Sequence, residues 1–395
     1  MHSVELFAGC GGLALGVSEA GFKHMLVVER DHSACSTLSA NQLQGVRHVS
    51  DWPLKECDVI GLDYSNLTER IDLLSGGPPC QPFSIGGAHL GPLDERNMWP
   101  EAIRAVREIK PKTFLFENVR GLLRPAFARY LEYLRLQLAR PDITPKAPFD
   151  WEAHLIRLSK AGKSASEPTY RVAIGDINAA DYGAAQKRHR VIIMGVRSDI
   201  TSQLTLPTPS HSREALIWSQ EVSGDYWDHH RISRRLRPPI TQATRALVDR
   251  LRAEGRPIEK PWVTVRDAIY DLPPPRINQE PLPNHRLHPG ARSYPHHTGS
   301  TWDEPAKALK AGAHGVPGGE NMLVLKNGRV RYFSIREMAR LQGFPDNFVV
   351  TGGWVHSIKQ LGNAVPVPVG LTFAKALREV IIKSEFRSTS EAVAL

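Results

Sequence analysis

Cys80 closes a stretch whose character changes abruptly: the apolar run in Asp72-Leu73-Leu74-Ser75 stops at Gly76-Gly77-Pro78-Pro79-Cys80, and Gln81-Pro82-Phe83-Ser84 follows. A buried strand ending here presents a thiol at its tip, beside a glycine-rich loop, Ile85-Gly86-Gly87-Ala88-His89-Leu90-Gly91. A thiolate reacts without strong activation, so Cys80 is a candidate nucleophile; the alternative is a small buried hydrophobe. A second apolar run, Thr113-Phe114-Leu115-Phe116, delivers Glu117-Asn118-Val119 at its end. A carboxyl group so placed is a candidate for a raised pKa and proton transfer, or else a cap or an ion-pair partner. A third stretch, Gln186-Lys187-Arg188-His189-Arg190, brings cations to the mouth of the apolar strand Val191 to Val196. Such a cluster suits an anion or a polar edge, and equally a solvated basic turn.

The N-terminal residues have a different chemistry. Val4 to Phe7 reads as a strand, Ala8-Gly9-Cys10-Gly11-Gly12 as a turn, and Leu13 to Ala20 as a helix stopped by Gly21. A second strand, Met25 to Val28, ends at Glu29, 20 residues after Gly9. This is the arrangement of a nucleoside-binding βαβ unit: glycines admit the ligand to the backbone, and the carboxylate accepts hydrogen bonds from ribose hydroxyls. A helix from His32 to Asn41 leads to Cys57-Asp58-Val59-Ile60, a candidate third strand end. Asp58 and Asp63 both suit an adenine amino group, and each is equally readable as a solvated loop residue.

Further elements must position these groups. Asp94 to Ile109 and Arg129 to Arg140 read as helices, and the region from there to Pro168 as irregular. Gly162-Lys163-Ser164 is not a phosphate-binding loop, because the required first glycine is Arg157 and no strand precedes it. Tyr170 to Ile174 and Val191 to Val196 read as paired strands. From about Ser198 to Val330 prolines crowd in, and a separate loop-rich domain is expected. His285, His288, His296 and His297 there lack the helical spacing or neighbouring cysteines of a metal site. Ser334 and Glu337 have capping-box spacing at the start of a helix that ends at Gly343-Phe344-Pro345. Gln360-Leu361-Gly362-Asn363-Ala364-Val365-Pro366 then precedes a helix to about Lys383.

With 395 residues, 41% hydrophobic and 23% charged, the chain can bury a sizeable core, in two domains or one with an insertion. No apolar run approaches the ~20 residues that span a bilayer, and Met1-His2-Ser3-Val4-Glu5 lacks the basic start of a signal peptide. The four cysteines, Cys10, Cys35, Cys57 and Cys80, form no C-x-x-C pair, which argues against zinc or a disulfide framework. A formal charge of +9 points to a polyanionic partner.

In this order, the stretches resemble the DNA (cytosine-5) methyltransferase family in its bacterial restriction-modification form, over nearly all the chain outside the proline-rich region. Glu5-Leu6-Phe7-Ala8-Gly9-Cys10-Gly11-Gly12 is similar to the family's S-adenosylmethionine loop, Pro79-Cys80-Gln81 to its nucleophile motif and Glu117-Asn118-Val119 to its acid motif. Gln186-Lys187-Arg188-His189-Arg190 is similar to the basic motif, Arg336-Glu337 to Pro345 to the one after the recognition region, and Gly362-Asn363-Ala364-Val365 to the closing one. The resemblance implies an α/β fold, a Rossmann-like doubly wound sheet with a smaller loop-rich target-recognition domain. The expected domains are a catalytic one over 1–200, a recognition domain over 201–350, and a segment over 351–395 that returns to the first.

The same resemblance implies that Cys80 attacks C6 of a flipped-out cytosine and that Glu117 holds and protonates N3. Arg188 and Arg190 are implied to stabilise the base and position the nucleophile. S-adenosyl-L-methionine is the implied methyl donor and S-adenosyl-L-homocysteine the product, with no metal. Its implied contacts are Phe7, Ala8, Gly9, Gly11, Gly12, Glu29, Asp58, Pro79, Trp99 and Asn363, with Asn363 near Glu29. Gln81, Ser84 and Arg96 are implied DNA contacts. The implied partner is double-stranded DNA, met by a monomer in the bacterial cytoplasm, nucleoid-associated through DNA and apart from any membrane, with a restriction endonuclease as a system partner. Two departures stand out: Pro100 directly follows Trp99, and His189 separates the two arginines.

Overall fold

The computed structural model describes residues 1–67, 71–79, 97–147, 149–163, 167–201, 203–278, 280, 282–295, 298–312 and 319–393. The chain divides into two compact units, one of Met1–Ile177, His189–Pro207 and Asn347–Leu395, the other of Asn178–Arg188 and Thr208–Asp346. The basic stretch is therefore divided between them, Gln186 to Arg188 in the second and His189 and Arg190 in the first.

A seven-stranded sheet organises the first unit. Its strands are β1 (His2–Leu6), β2 (Lys23–Glu29), β3 (Leu54–Glu56), β4 (Leu73–Gly76), β5 (Thr113–Val119), β6 (Tyr170–Asn178) and, after the two-residue β7 (Gln186–Lys187) of the second unit, β8 (His189–Arg197). They lie in the order β3-β2-β1-β4-β5-β8-β6. Strands β1 to β5 pair in parallel, and β8 runs antiparallel to β5. Parallel neighbours require crossovers, and helices supply them: α1 (Gly12–Glu19), α2 (His32–Leu43) and α3 (Trp99–Ile109). The strand order reverses between β1 and β4, so Leu6 and Gly76 end side by side and open a crevice at the strand tips.

Both faces of this sheet are covered, which is why β4 is buried along its whole length. On one face Val4, Leu74, Phe114 and Phe116 pack with Ala102, Val106 and Ile109 of α3 and with Tyr133 and Leu134 of α4 (Ala128–Ala139). Elsewhere in this unit α1 packs against α12 (Val367–Val393), which follows α11 (Trp354–Asn363). The contact is backbone on backbone: a Cβ on Gly16 would lie 2.5 Å from the Leu371 nitrogen and 2.6 Å from the Val367 oxygen. The chain's last helix is thereby locked onto its first.

Three expectations are corrected. β3 stops at Glu56: the Cys57 N–H makes a last ladder bond to the Glu29 carbonyl (3.0 Å), and the chain then turns where Asp58 accepts from Ile60 N–H (3.0 Å). The region before Pro168 contains a helix, α5 (Trp151–Lys163), whose Leu155 and Leu158 face the core while His154 bonds Tyr133 and the Ile143 carbonyl. The helix expected from Asp94 begins at Trp99, and Pro100 falls in its first turn, where a missing N–H costs nothing.

The second unit has more regular structure than its prolines suggested, in short pieces: α6 (Arg213–Ile217), α7 (Asp225–His229), α8 (Gln242–Glu254), α9 (Val265–Ile269) and α10 (Ile335–Leu341). Its ladders are β9 (His211–Ser212) with β10 (Lys260–Pro261), β11 (Ala306–Lys307) with β7, and β12 (Met322–Val324) with β13 (Val330–Tyr332). Its hydrophobic cores are a few residues each, and buried ion pairs and hydrogen bonds join the pieces. Asp303 accepts from Arg266 Nε (2.6 Å) and the Tyr226 hydroxyl (3.0 Å), and Ser334 and Glu337 form the expected capping box on α10.

Candidate active site

At the tips of β4 and β5 the chain brings a carboxyl group and a guanidinium together. Glu117 lies within β5 rather than after it, paired in register with Ile192 of β8, and Arg190 lies two residues from Ile192 on the same strand face. Arg190 Nε approaches Glu117 Oε1 to 2.5 Å, and both side chains are mostly buried. Next to Glu117, Asn118 is buried and its Nδ2 donates to the Pro78 carbonyl (3.1 Å). A Cβ on Gly77 would come within 3.5 Å of Glu117 Oε2. The backbone leading to Cys80 is thus strapped to the strand that carries the acid. Cys80 itself, with Gln81, Ser84 and Arg96, lies outside the described residues; Pro79 is half-buried at the last described position before it.

Arg188 is nearly completely buried in the second unit, where its Nη1 donates to the Leu309 carbonyl (2.8 Å) and its backbone N–H to Asn178 Oδ1 (3.1 Å). The two arginines of the basic stretch therefore have different immediate partners, a carbonyl for Arg188 and a carboxylate for Arg190.

The glycine turn is built around Glu29. Its Oε2 accepts from Gly9 N–H (2.7 Å), and Oε1 from Arg30 N–H (2.8 Å) and Asp31 N–H (2.7 Å), so one carboxylate ties the tip of β1 to the tip of β2. The turn needs left-handed backbone at Phe7 (φ +57°), Gly9 (φ +55°) and Gly11 (φ +88°). Glycine accepts that conformation; Phe7 does so at a cost, held by the Ala8 N–H bond to the Val28 carbonyl (3.1 Å). A Cβ on Gly11 would strike Trp52 at 2.8 Å, whereas nothing lies within 4 Å of one on Gly9. Gly12 opens α1.

The two competing aspartates separate. Asp58 pairs with Arg30, the neighbour of Glu29, at 2.9 Å, and its carboxyl is held below the usual range by the Ile60 N–H and by Arg30. Asp63 is engaged locally, accepting from Ser65 N–H (2.9 Å) and Ser65 Oγ (3.0 Å). Trp99 is fully buried and edge-on to Phe116 of β5 (5.8 Å between centroids). Asn363 is exposed at the C-terminal end of α11. That helix reaches the tips of β1 and β2 through Lys359, paired with Asp31 at 3.0 Å, and through the Gln360 carbonyl, which accepts from Cys10 Sγ (3.5 Å).

Sequence reasoning missed Asp176. It takes Arg120 Nε at 2.8 Å and faces His189 Nδ1 at 3.5 Å, so the unexpected histidine belongs to a second polar cluster at the same strand ends. The signal was a carboxylate following the apolar run Val172 to Ile174, the same cue that singled out Glu117. Burial pushes the Cys10 and Cys35 thiols up to about 12, which leaves them protonated and inert. His285 is occupied by Ser334 Oγ (2.8 Å) and the Pro273 carbonyl (2.5 Å), and His296 and His297 lie outside the described residues. No group of three or more metal-ligating side chains occurs among the described residues, nor a helix long and apolar enough to cross a membrane.

The sequence matches the family described as C-5 cytosine-specific DNA methylase over residues 1–140 and 157–379. The chain belongs to this family. It is 32% identical over 377 residues to the Type II methyltransferase M.PspPI of Psychrobacter sp. (strain TA137), covering 95% of this chain and 78% of that protein. It is 31% identical over 382 residues to the Type II methyltransferase M.Eco47II of Escherichia coli, covering 96% and 79%. Among solved structures, the S. pombe Dnmt2 methyltransferase matches 96% of this chain and 98% of its own with a TM-score of 0.56 at 14% identity, a likeness of fold. As a C-5 cytosine-specific DNA methylase, the chain is an enzyme, and the α/β sheet with its reversed strand order is the family's methyltransferase fold.

Proposed function

We propose that this C-5 cytosine DNA methylase modifies a specific duplex site as the methyltransferase of a Type II restriction-modification system, using a covalent Cys80 adduct. The observation that carries the reading is the Glu117–Arg190 pair, braced where Asn118 holds the backbone two residues before Cys80. The two relatives named Type II methyltransferases support the restriction-modification part.

Cytosine C5 is a poor nucleophile until C6 has been attacked, so a thiolate and an acid must work on one ring. Cys80 adds to C6 as its thiolate and the displaced electron pair moves toward N3, which is protonated through Glu117, the carboxylate taking up that proton from solvent as the base binds. Arg190 fixes the Glu117 carboxyl against the strand, and Arg188 orders the basic stretch from within the second unit. C5 is then nucleophilic. Loss of the C5 proton to a water molecule then expels Cys80 as its thiolate, and N3 returns its proton to Glu117 as the ring is restored. The target base must leave the duplex for this, at a cost of a few kcal/mol, and Gln81, Ser84 and Arg96 are the proposed DNA contacts near the nucleophile.

S-adenosylmethionine, when bound, supplies an electrophilic methyl group. The residues present fit it. Space is open above Gly9, and Glu29 Oε2, with a single backbone donor, retains acceptor capacity for a ribose hydroxyl. Phe7, Ala8, Gly11, Gly12 and Pro79 shape the crevice, Asp58 suits the adenine amino group, and Trp99 and Asn363 complete the proposed contacts. The protein is proposed to work as a cytoplasmic monomer on double-stranded DNA, with a companion restriction endonuclease acting on the same site.

Transfer of a labelled methyl group to mixed-sequence duplex DNA and, separately, to tRNA tests this reading. Label at cytosine C5 in DNA, lost in Cys80→Ala, is expected; label in tRNA alone, or unchanged in Cys80→Ala, would overturn it.

A further inference from the structure

The chain's positive charge is not shared evenly. The second unit holds 23 lysines and arginines against 16 aspartates and glutamates, which leaves it +7 of the chain's +9. Within it, residues 231–256 carry eight arginines against two acids. Three of those arginines are accounted for: Arg250 pairs with Glu214 and Glu254, Arg252 approaches Asp249, and Arg237 lies over the Trp227 ring at 5.5 Å. Arg231, Arg234, Arg235, Arg245 and Arg256 are exposed and have no ion pair among the described residues.

Three of these five are on one turn, and the turn is built to stay in place. Ile232 packs on the core of Leu216, Tyr226 and Trp227, and its N–H donates to the Trp227 carbonyl (2.9 Å). Leu236 N–H donates to the Ser233 carbonyl (2.9 Å) and Arg237 N–H to that of Arg234 (3.3 Å), closing a single 3-10 turn over Arg234–Leu236. Arg231 adopts left-handed backbone (φ +54°), a conformation that non-glycine residues adopt at a cost. Pro238 and Pro239 stiffen the exit. At the apex, between arginines, Leu236 is 54% exposed. Like charges held together around an exposed leucine stabilise nothing in the free protein, so the arrangement is explained by what binds it.

We propose that the 231–237 turn is a duplex-DNA contact surface, with Arg234 and Arg235 on backbone phosphates and Leu236 against the sugar between them. A rigid turn loses little side-chain and loop freedom on binding, and guanidinium groups match phosphate geometry. The proposal rests on the DNA methyltransferase reading above and adds where the second unit meets DNA.

The test uses the full chain with Arg234→Ala/Arg235→Ala, binding a mixed-sequence duplex between 50 and 200 mM salt. Two lost phosphate contacts should make the log-log salt slope shallower by about 1.8, so the variant loses about tenfold less affinity over that range than the unmodified chain. In methyl transfer to the same DNA the KM for DNA should rise while kcat holds. Arg245→Ala/Arg256→Ala removes the same charge from elsewhere in the unit and should change the slope much less. An unchanged slope and KM in the first variant, or equal effects in the two, would overturn the surface. Absence of methyl transfer by the unmodified chain would instead sink the methyltransferase reading, and the binding arm would still decide the surface.

Discussion

Arg190 meets Glu117 diagonally across the antiparallel pair that β5 makes with β8 in the large sheet, at 2.5 Å. Reversal of β8 is what permits this. A parallel strand would arrive at this edge by its other end, with Arg190 far from the tip where Glu117 stands. Removing one partner leaves a mostly buried charge without compensation. Arg190→Ala should therefore destabilise the first unit by about 3 kcal/mol in chemical denaturation. Glu117→Gln should cost less stability yet lower kcat at least about a hundredfold. If the double variant shows purely additive stability losses, the pair is not coupled and the bracing argument fails.

Gly16 and Gly162 should respond oppositely to alanine. At Gly16 the new methyl group would lie 2.5 Å from the α12 backbone, which cannot yield as a side chain does. Gly16→Ala should cost about 3 kcal/mol through overpacking. Gly162 is exposed in the last turn of α5 with nothing within 4 Å of a Cβ. Gly162→Ala should gain about 0.5 kcal/mol from a less entropic unfolded chain. Thermal or urea unfolding of the two variants decides the sign of each.

Much of this was legible before any coordinates, and the reason differs by region. Glycine turns, apolar runs and acids at strand ends are local signals, so β1, α1, β2, Glu29 and the β5 acid could be read directly. The α5 helix was missed because its apolar residues, Leu155 and Leu158, bury only against tertiary neighbours, and glycine and polar residues follow at once. The split fates of Arg188 and Arg190 were illegible, since adjacent residues of one motif enter different units. Asp58 and Asp63 could not be separated because the partner that sets Asp58 apart, Arg30, lies 28 residues away in the chain, whereas Asp63 meets Ser65 two residues on.

Two buried groups in the sheet should tilt the pH dependence of stability in opposite directions. Glu5 on β1 faces Ser75 on β4, and burial pushes its carboxyl up to about 8 from 4.5. The folded state then holds a proton that the unfolded chain has released, so this group's contribution declines as pH rises from about 4.5 to 8 and is constant above. Glu5→Gln should remove that slope and be the more stable form at pH 8, by on the order of 4 kcal/mol. His24, between Ser3 Oγ and the Ala14 carbonyl, is pushed down to about 4 by burial. There the unfolded chain binds the extra proton, and stability is lost as pH falls from 6.5 toward 4. Urea midpoints of wild type, Glu5→Gln and His24→Gln across pH 4 to 9 check both signs.

Glu29 should matter to the empty protein as well as to the cofactor, and that sets it apart from a simple ribose ligand. Its carboxylate accepts three backbone N–H groups, from Gly9, Arg30 and Asp31. Glu29→Ala leaves those donors unpaired and frees the turn that Phe7 and Gly9 hold in left-handed backbone, so a loss of about 2 kcal/mol in stability is expected without any ligand. Calorimetry should then find S-adenosylmethionine binding at least about tenfold weaker. Glu29→Gln keeps an acceptor for Gly9 N–H but turns an NH2 toward the Arg30 and Asp31 donors, so it should recover part of the stability and little of the affinity, a neutral amide oxygen being a weaker acceptor for the ribose hydroxyl than a carboxylate. Asp58→Ala should weaken cofactor binding while leaving stability nearly unchanged, and Asp63→Ala, whose carboxylate serves only Ser65, should leave cofactor affinity as it was. Equal losses of affinity for Asp58→Ala and Asp63→Ala would remove Asp58 from the proposed adenine site.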